Sequence, residues 1–176
     1  MQTVDASLPG GILGPELATL SGLSYPTVHY YTVEGVLRAT ERAANGRGSR
    51  RLYAFNDAVA ACVVAELREY GTSLDQLKNV AAAIRGYDVQ QMRAASRDVR
   101  APLLGLLVPK TGKVERVDDT KVFSLLSAFD QNVGLFVNVS KFASDVATAL
   151  LEMRIRGPRR GSPKRAATRS AARKRL

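Results

Sequence analysis

The segment Leu23 to Tyr53, LSYPTVHYYTVEGVLRATERAANGRGSRRLY, admits few folds. Ser24 can cap a helix by accepting an orphan backbone N–H, Pro26 is tolerated in the first turn, and the helix should end before Gly35. From Gly35 to Tyr53 the pattern changes to short extended pieces around Asn45-Gly46-Arg47-Gly48-Ser49. That turn composition favours a hairpin with an exposed tip, closing on Arg50-Arg51-Leu52-Tyr53. Upstream, Pro15 can open a helix whose apolar side is Leu17, Ala18 and Leu20, and Gly22 can stop it. Two short helices and then a basic hairpin is the order of a helix-turn-helix followed by a wing, and it points to DNA.

Charge sharpens this expectation, because the net +10 is unevenly placed. Arg154 to Leu176 holds ten bases and no acid. The 26 bases of the chain less those ten leave 16 in Met1 to Met153, against all 16 acids. On such a neutral body only local clusters can attract phosphate, and Arg42, Arg47, Arg50 and Arg51 form one on the hairpin. The stretch from Arg154 onward has no apolar face and repels itself, so it is expected to be a disordered basic tail that adds DNA affinity, with RNA or an acidic protein as the alternative partner.

Composition also excludes classes. One cysteine, Cys62, leaves no intramolecular disulfide, and with His29 as the sole histidine no Cys/His cluster for zinc or iron-sulfur can form within one chain. Cys62 reads as a small buried hydrophobe. No run of about 18 apolar residues and no basic-then-apolar leader appear, so a cytoplasmic protein without a membrane partner is expected. There is no paired nucleophile and base and no phosphate loop, since Gly46-Arg47-Gly48 belongs to a hairpin and not to a strand-to-helix turn. No enzyme and no cofactor are expected.

Beyond the hairpin, Asn56 is a candidate cap for a third helix with Val59, Val63, Leu67 and Tyr70 as an apolar stripe, ended by Gly71. Ser73-Leu74-Asp75-Gln76 reads as a capping box for a fourth helix through Leu77, Ala81 and Ile84. Asp88 can cap a short one containing Val89, Met92 and Ala95. From Pro102 the pattern predicts a strand to Val108, a turn at Lys110 to Lys113, a strand from Val114 to Val117 and a helix from Val122 to Phe129. A buried strand through Leu135, Phe136, Val137 and Val139 and a helix from Lys141 to Met153 complete it.

The expected fold is mostly α. Residues 1–11 form a flexible arm, 12–85 a winged helix-turn-helix domain, 86–101 a linker helix, 102–153 a small α+β module for dimerisation or an effector, and 154–176 the disordered tail.

Glu16-Leu17-Ala18, Ser21-Gly22-Leu23-Ser24, Tyr30-Tyr31, Glu34-Gly35-Val36-Leu37, Arg51-Leu52-Tyr53 and the Gly71 to Leu77 segment together resemble the DNA-binding domain of the MerR family of bacterial transcription regulators. The resemblance implies a second helix in the major groove, a wing on the flanking backbone or minor groove, and a homodimer on a near-palindrome. It also implies promoter DNA bent and untwisted for RNA polymerase. Carried over by position, Ser24, Tyr25, Pro26, Thr27 and His29 face the groove, and Tyr30 and Arg51 touch phosphate. Arg42, Arg47, Arg50 and Tyr53 complete the expected contact set. One of Tyr30 and Tyr31 is expected in the core.

Two departures matter. The family often has arginine where this chain has Pro26 and His29, so the strongest bidentate reader of guanine is missing, and more of the affinity falls to the wing and to DNA shape. The second half resembles, by pattern, the small C-terminal module of some actinobacterial-type members. Its sheet edges suit pairing across a two-fold, with homodimerisation through residues 86–153 and a ligand pocket as the alternative. A dimeric, sequence-specific regulator is thus the first reading. The second is an architectural DNA-binding protein, either an excisionase-like recombination directionality factor or a nucleoid-associated protein.

Overall fold

The computed structural model describes residues 11–43, 50–98, 100–109, 113–119, 121 and 134–155. The first ten residues of the arm, the hairpin tip with Arg47, most of the Lys110 to Lys113 turn, the Val122 to Phe129 helix and the tail from 156 onward lie outside them.

Helix α1 (Gly14–Ser21) carries Pro15 in its first turn, and the Glu16 carboxylate reaches back to accept the Leu13 N–H at 2.8 Å. Its end is set by Gly22, at φ 71°, a left-handed conformation that glycine adopts without strain. Helix α2 (Tyr25–Val33) follows at once, with Ser24 Oγ accepting the Thr27 N–H at 3.2 Å. Strand β1 (Ile12–Leu13) pairs antiparallel with β2 (Leu52–Tyr53). The residues just after the expected arm therefore clip the start of the domain to the far leg of the hairpin.

Helix α3 (Phe55–Glu69) starts earlier than the Asn56 cap would place it. Its N-cap is Ala54, whose N–H donates to Asp57 Oδ2 at 2.9 Å. Asn56 is instead buried, its amide donating to the Tyr87 carbonyl at 3.0 Å. Val59, Val63 and Leu67 form the expected buried stripe, but the helix ends at Glu69, and Tyr70 at its C-cap is 65% exposed.

Helix α4 (Leu74–Arg85) is capped by Ser73, and only half of the expected box forms: Gln76 turns away and donates to the Pro109 carbonyl. Helix α5 (Val89–Arg97) is capped by Asp88 through Gln90 N and Gln91 N at 2.8 and 3.1 Å. Met92 and Ala95 are buried, whereas Val89 faces out.

Three antiparallel strands follow, β3 (Gly105–Pro109), β4 (Glu115–Val117) and β5 (Gly134–Asn138), in the order β4-β3-β5. Leu106 lies opposite Val137 on one side and Arg116 on the other. The strand expected to be wholly buried is an edge strand. Val137 is buried, while Leu135 and Phe136 are exposed, because β5 has a neighbour on one side only among the described strands. Phe136 covers Gly105, where an added Cβ would come within 2.7 Å of its ring. Helix α6 (Val139–Ile155) leaves β5 without a loop and packs on α5 and α3.

One apolar cluster runs through all of this, from Leu17 in α1 through Val59 and Val63 in α3 and Met92 in α5 to Val146 and Leu150 in α6. At the joint, the Tyr87 hydroxyl donates to the Gly105 carbonyl at 2.5 Å while Asn56 holds the Tyr87 carbonyl. Arg116 donates to the Gly86 carbonyl and its guanidinium lies 5.6 Å from the Tyr87 ring centroid. The chain is mostly helical, with its helix-turn-helix at the N-terminal end.

Candidate nucleic-acid interface

Helix α2 is held by few residues and shows many. Val28 and Tyr31 are its buried anchors, Tyr31 at 5% exposure, and Tyr30 is the exposed tyrosine of the pair at 51%. The two rings are 5.7 Å apart and tilted. Ser24, Tyr25, Pro26 and His29 are exposed, with Thr27 half-buried, so these five candidates lie around the first turns of the helix. Gly14 makes room for Tyr25: a Cβ there would come 2.9 Å from the phenol ring.

The base of the hairpin stands beside this face. Its legs meet at Arg42 and Leu52, whose N–H groups donate to each other's carbonyls at 3.0 and 2.9 Å. Arg42 and Arg50 are exposed, and Arg51 is half-buried with Nη1 3.1 Å from His29 Nδ1. Tyr25, His29, Arg50 and Arg51 border one open cleft of about 540 Å³.

Tyr53 borders the same cleft from a buried position. It is 2% exposed, its hydroxyl lies 2.9 Å from Thr32 Oγ1, and it seats β2 on α2 from within the core.

Arg68 is an addition that sequence reasoning missed. It lies near the end of α3 yet borders a shallow groove with Pro26, Thr27, Tyr30 and Tyr31. In the sequence it reads only as a base in the last turn of a helix, where it suits the dipole. Nothing in the chain announces that α3 ends beside α2.

Both legs of the hairpin are tied to one buried carboxylate. Asp57 Oδ2 accepts the Thr40 N–H at 3.0 Å, the Thr40 hydroxyl at 2.6 Å and the Ala54 N–H at 2.9 Å. Arg85 of α4 adds a third tie, donating to the Val36 carbonyl at 3.0 Å. Burial lowers the Arg85 pKa, and the charge of Asp57 opposes that shift.

Among the described residues no group of His, Cys, Asp and Glu could hold a metal ion, and no helix is long and apolar enough to cross a membrane. Cys62 is half-buried and donates to the Leu20 carbonyl at 3.5 Å. Burial, reinforced by the Asp145 charge, pushes its thiol up to about 12, which is the opposite of an activated nucleophile.

A polar helix held out by two buried anchors beside a rigidly tied basic hairpin base defines the helix-turn-helix class. Within that class residues 15–84 match the model of the MerR HTH family regulatory protein. Uncharacterized HTH-type transcriptional regulators of Mycobacterium tuberculosis and Mycobacterium bovis are each 30% identical to this chain over 91 residues. The alignment covers 50% of this chain and 40% of each relative, so the chain spans less than half of their length.

Proposed function

We propose that the protein is a dimeric, sequence-specific transcription regulator that lays α2 in the major groove and the Arg42 to Arg51 wing on flanking DNA. The carrying observation is the exposed face Ser24, Tyr25, Pro26, His29 and Tyr30 set beside Arg42, Arg50 and Arg51. Arg47 joins the wing by its place in the sequence. Tyr30 and Arg51 supply phosphate donors, with Arg68 alongside, and these fix register without reading bases. Tyr53 acts from beneath.

The sheet supports the dimer. Among the described strands β4 and β5 each leave one edge open, and β5 shows Leu135 and Phe136, a surface that a second copy would cover. The cationic tail raises affinity for any duplex, and RNA polymerase at the same promoter is the partner through which binding becomes regulation.

The test is binding to promoter-region and random duplexes across a salt series at physiological ionic strength. Preference for one near-palindromic site is expected, and Arg51→Ala should weaken binding on every sequence while reducing the salt slope by about one. Equal affinity for both duplexes would overturn the regulator in favour of an architectural DNA-binding protein.

A further inference from the structure

His29 and Arg51 are 22 residues apart in sequence and meet where α2 and β2 converge. The contact fixes more than position. A guanidinium carries five N–H donors, no acceptor, and stays protonated, so in the 3.1 Å pair with His29 Nδ1 the imidazole nitrogen accepts. An imidazole that accepts at Nδ1 carries its proton on Nε2.

The surroundings keep the ring there. Val28, its neighbour in α2, is buried and sets the rotation of the helix. Arg51 precedes β2, which is pinned by its pairing with β1 and by Tyr53. Tyr25 and Arg50 border the same cleft, and neither is an acid that could draw the guanidinium away.

We infer that Arg51 is a positioning residue that holds His29 as a neutral Nε2–H donor, so that His29 reads a hydrogen-bond acceptor on the major-groove edge of one base. Guanine offers O6 and N7 side by side, thymine offers O4, and cytosine presents only its N4 amino donor. Adenine is intermediate, since its N7 is flanked by the N6 donor. The expected readout is a preference for guanine or thymine over cytosine at one position of each half-site. This rests on the reading of α2 as the groove helix, and it gives Arg51 a second task beside its phosphate contact.

Two measurements on the full chain test it. Imidazole nitrogen NMR of the free protein should show Nε2 protonated and Nδ1 unprotonated, and Arg51→Ala should return the ring to a mixture of tautomers. Selection from random duplexes should then compare the wild type with His29→Gln, whose amide nitrogen sits near the Nε2 position, and His29→Asn, whose amide cannot reach it. His29→Gln should keep a base-selective contact at that position, with adenine gaining because the amide can also accept from its N6 amino group. His29→Asn should flatten that single position by about five-fold or more, on the scale of one base contact. Arg51→Ala should lower affinity on all sites and flatten the same position.

A wild-type ring protonated on Nδ1, or an unchanged base profile in His29→Asn, overturns the inference while leaving a sequence-selective regulator standing. A wild type that selects no sequence, with Nε2 protonated as expected, overturns the regulator reading and the base contact with it, leaving only the Arg51–His29 pair.

Discussion

Helices α2 and α3 belong to the same domain and are built on opposite terms. Of nine residues α2 buries Val28 and Tyr31, whereas α3 buries ten of its fifteen, including Ala58, Ala60 and Ala61 on faces that a surface helix would give to solvent. The small alanines let α1, α4 and α6 approach α3 from different sides. A helix surrounded in this way has little surface left with which to bind anything. Its neighbour, touching the core at two points, can spend the rest of its side chains on a ligand. The two helices therefore divide most of the work: α3, apart from Arg68 near its end, fixes geometry, and α2 displays chemistry. Substitutions in the first should appear as lost stability, and substitutions in the second as lost binding.

The strongest way to break this comparison is Asp57→Ala. The carboxylate accepts three hydrogen bonds from Thr40 and Ala54 at a site with no solvent exposure, and removing it strands the donors. A loss of about 3 kcal/mol is expected in urea unfolding, since bonds to a charged acceptor contribute about 1.5 to 3 kcal/mol each and partial relaxation offsets some of the damage. DNA affinity should fall as well, because both legs of the hairpin lose their tie. A loss below about 1 kcal/mol would show that the first turn of α3 is not what holds the wing in register.

A smaller effect separates the helices by pH. Cys62 of α3 has its thiol pushed from 9.0 to about 12, chiefly by burial, while the unfolded chain would ionise near the ordinary value. Between those values the unfolded state binds fewer protons than the folded one, so unfolding becomes easier as pH rises. The stabilisation from keeping Cys62 neutral is present below about pH 9 and is lost progressively towards 12. Tyr87, pushed from 10.0 to about 12 mainly by burial, has the same sign over a narrower window. Melting temperature should therefore decline above pH 9, and Cys62→Ala should make the first part of that decline shallower. An unchanged slope would mean that the thiol ionises equally in both states.

What the sequence disclosed, and what it hid, follows the same division. Pro15, Gly22, Ser24, Ser73 and Asp88 act on backbone groups within a few residues of themselves, and all five mark helix ends where they were expected. The outward candidates of α2 came from the family resemblance, and the exposure of Ser24, Tyr25, Pro26 and His29 agrees with that placement. Two misreadings involve a side chain satisfied from far off. Asn56 looks like a cap and is taken by the Tyr87 carbonyl, while Asp57 does the capping. Gln76 looks like half of a box and is taken by Pro109. A local competitor can be read from spacing, but a partner 20 or more residues away cannot, because only the tertiary fold brings it within reach.

The finest test uses one substitution on two tyrosines. Tyr30 is half exposed, and its hydroxyl has no intramolecular hydrogen bond among the described residues. Tyr53 is buried, with its hydroxyl on Thr32. Tyr30→Phe removes an oxygen from water and should change stability by less than about 0.5 kcal/mol. If that hydroxyl meets phosphate, affinity should drop about three- to ten-fold on every sequence, the scale of one hydrogen bond to a charged acceptor partly made good by water. Tyr53→Phe should do the reverse, costing about 1 kcal/mol in unfolding through the lost bond, with the base preference intact, since the Thr32 hydroxyl still donates to the Val28 carbonyl at 2.7 Å. Should both variants lose stability alike, Tyr30 is packed in a way its exposure does not suggest. Should both lose only binding, Tyr53 is reached by DNA after a local opening of β2, and the boundary between the supporting layer and the displayed one lies deeper than Thr32.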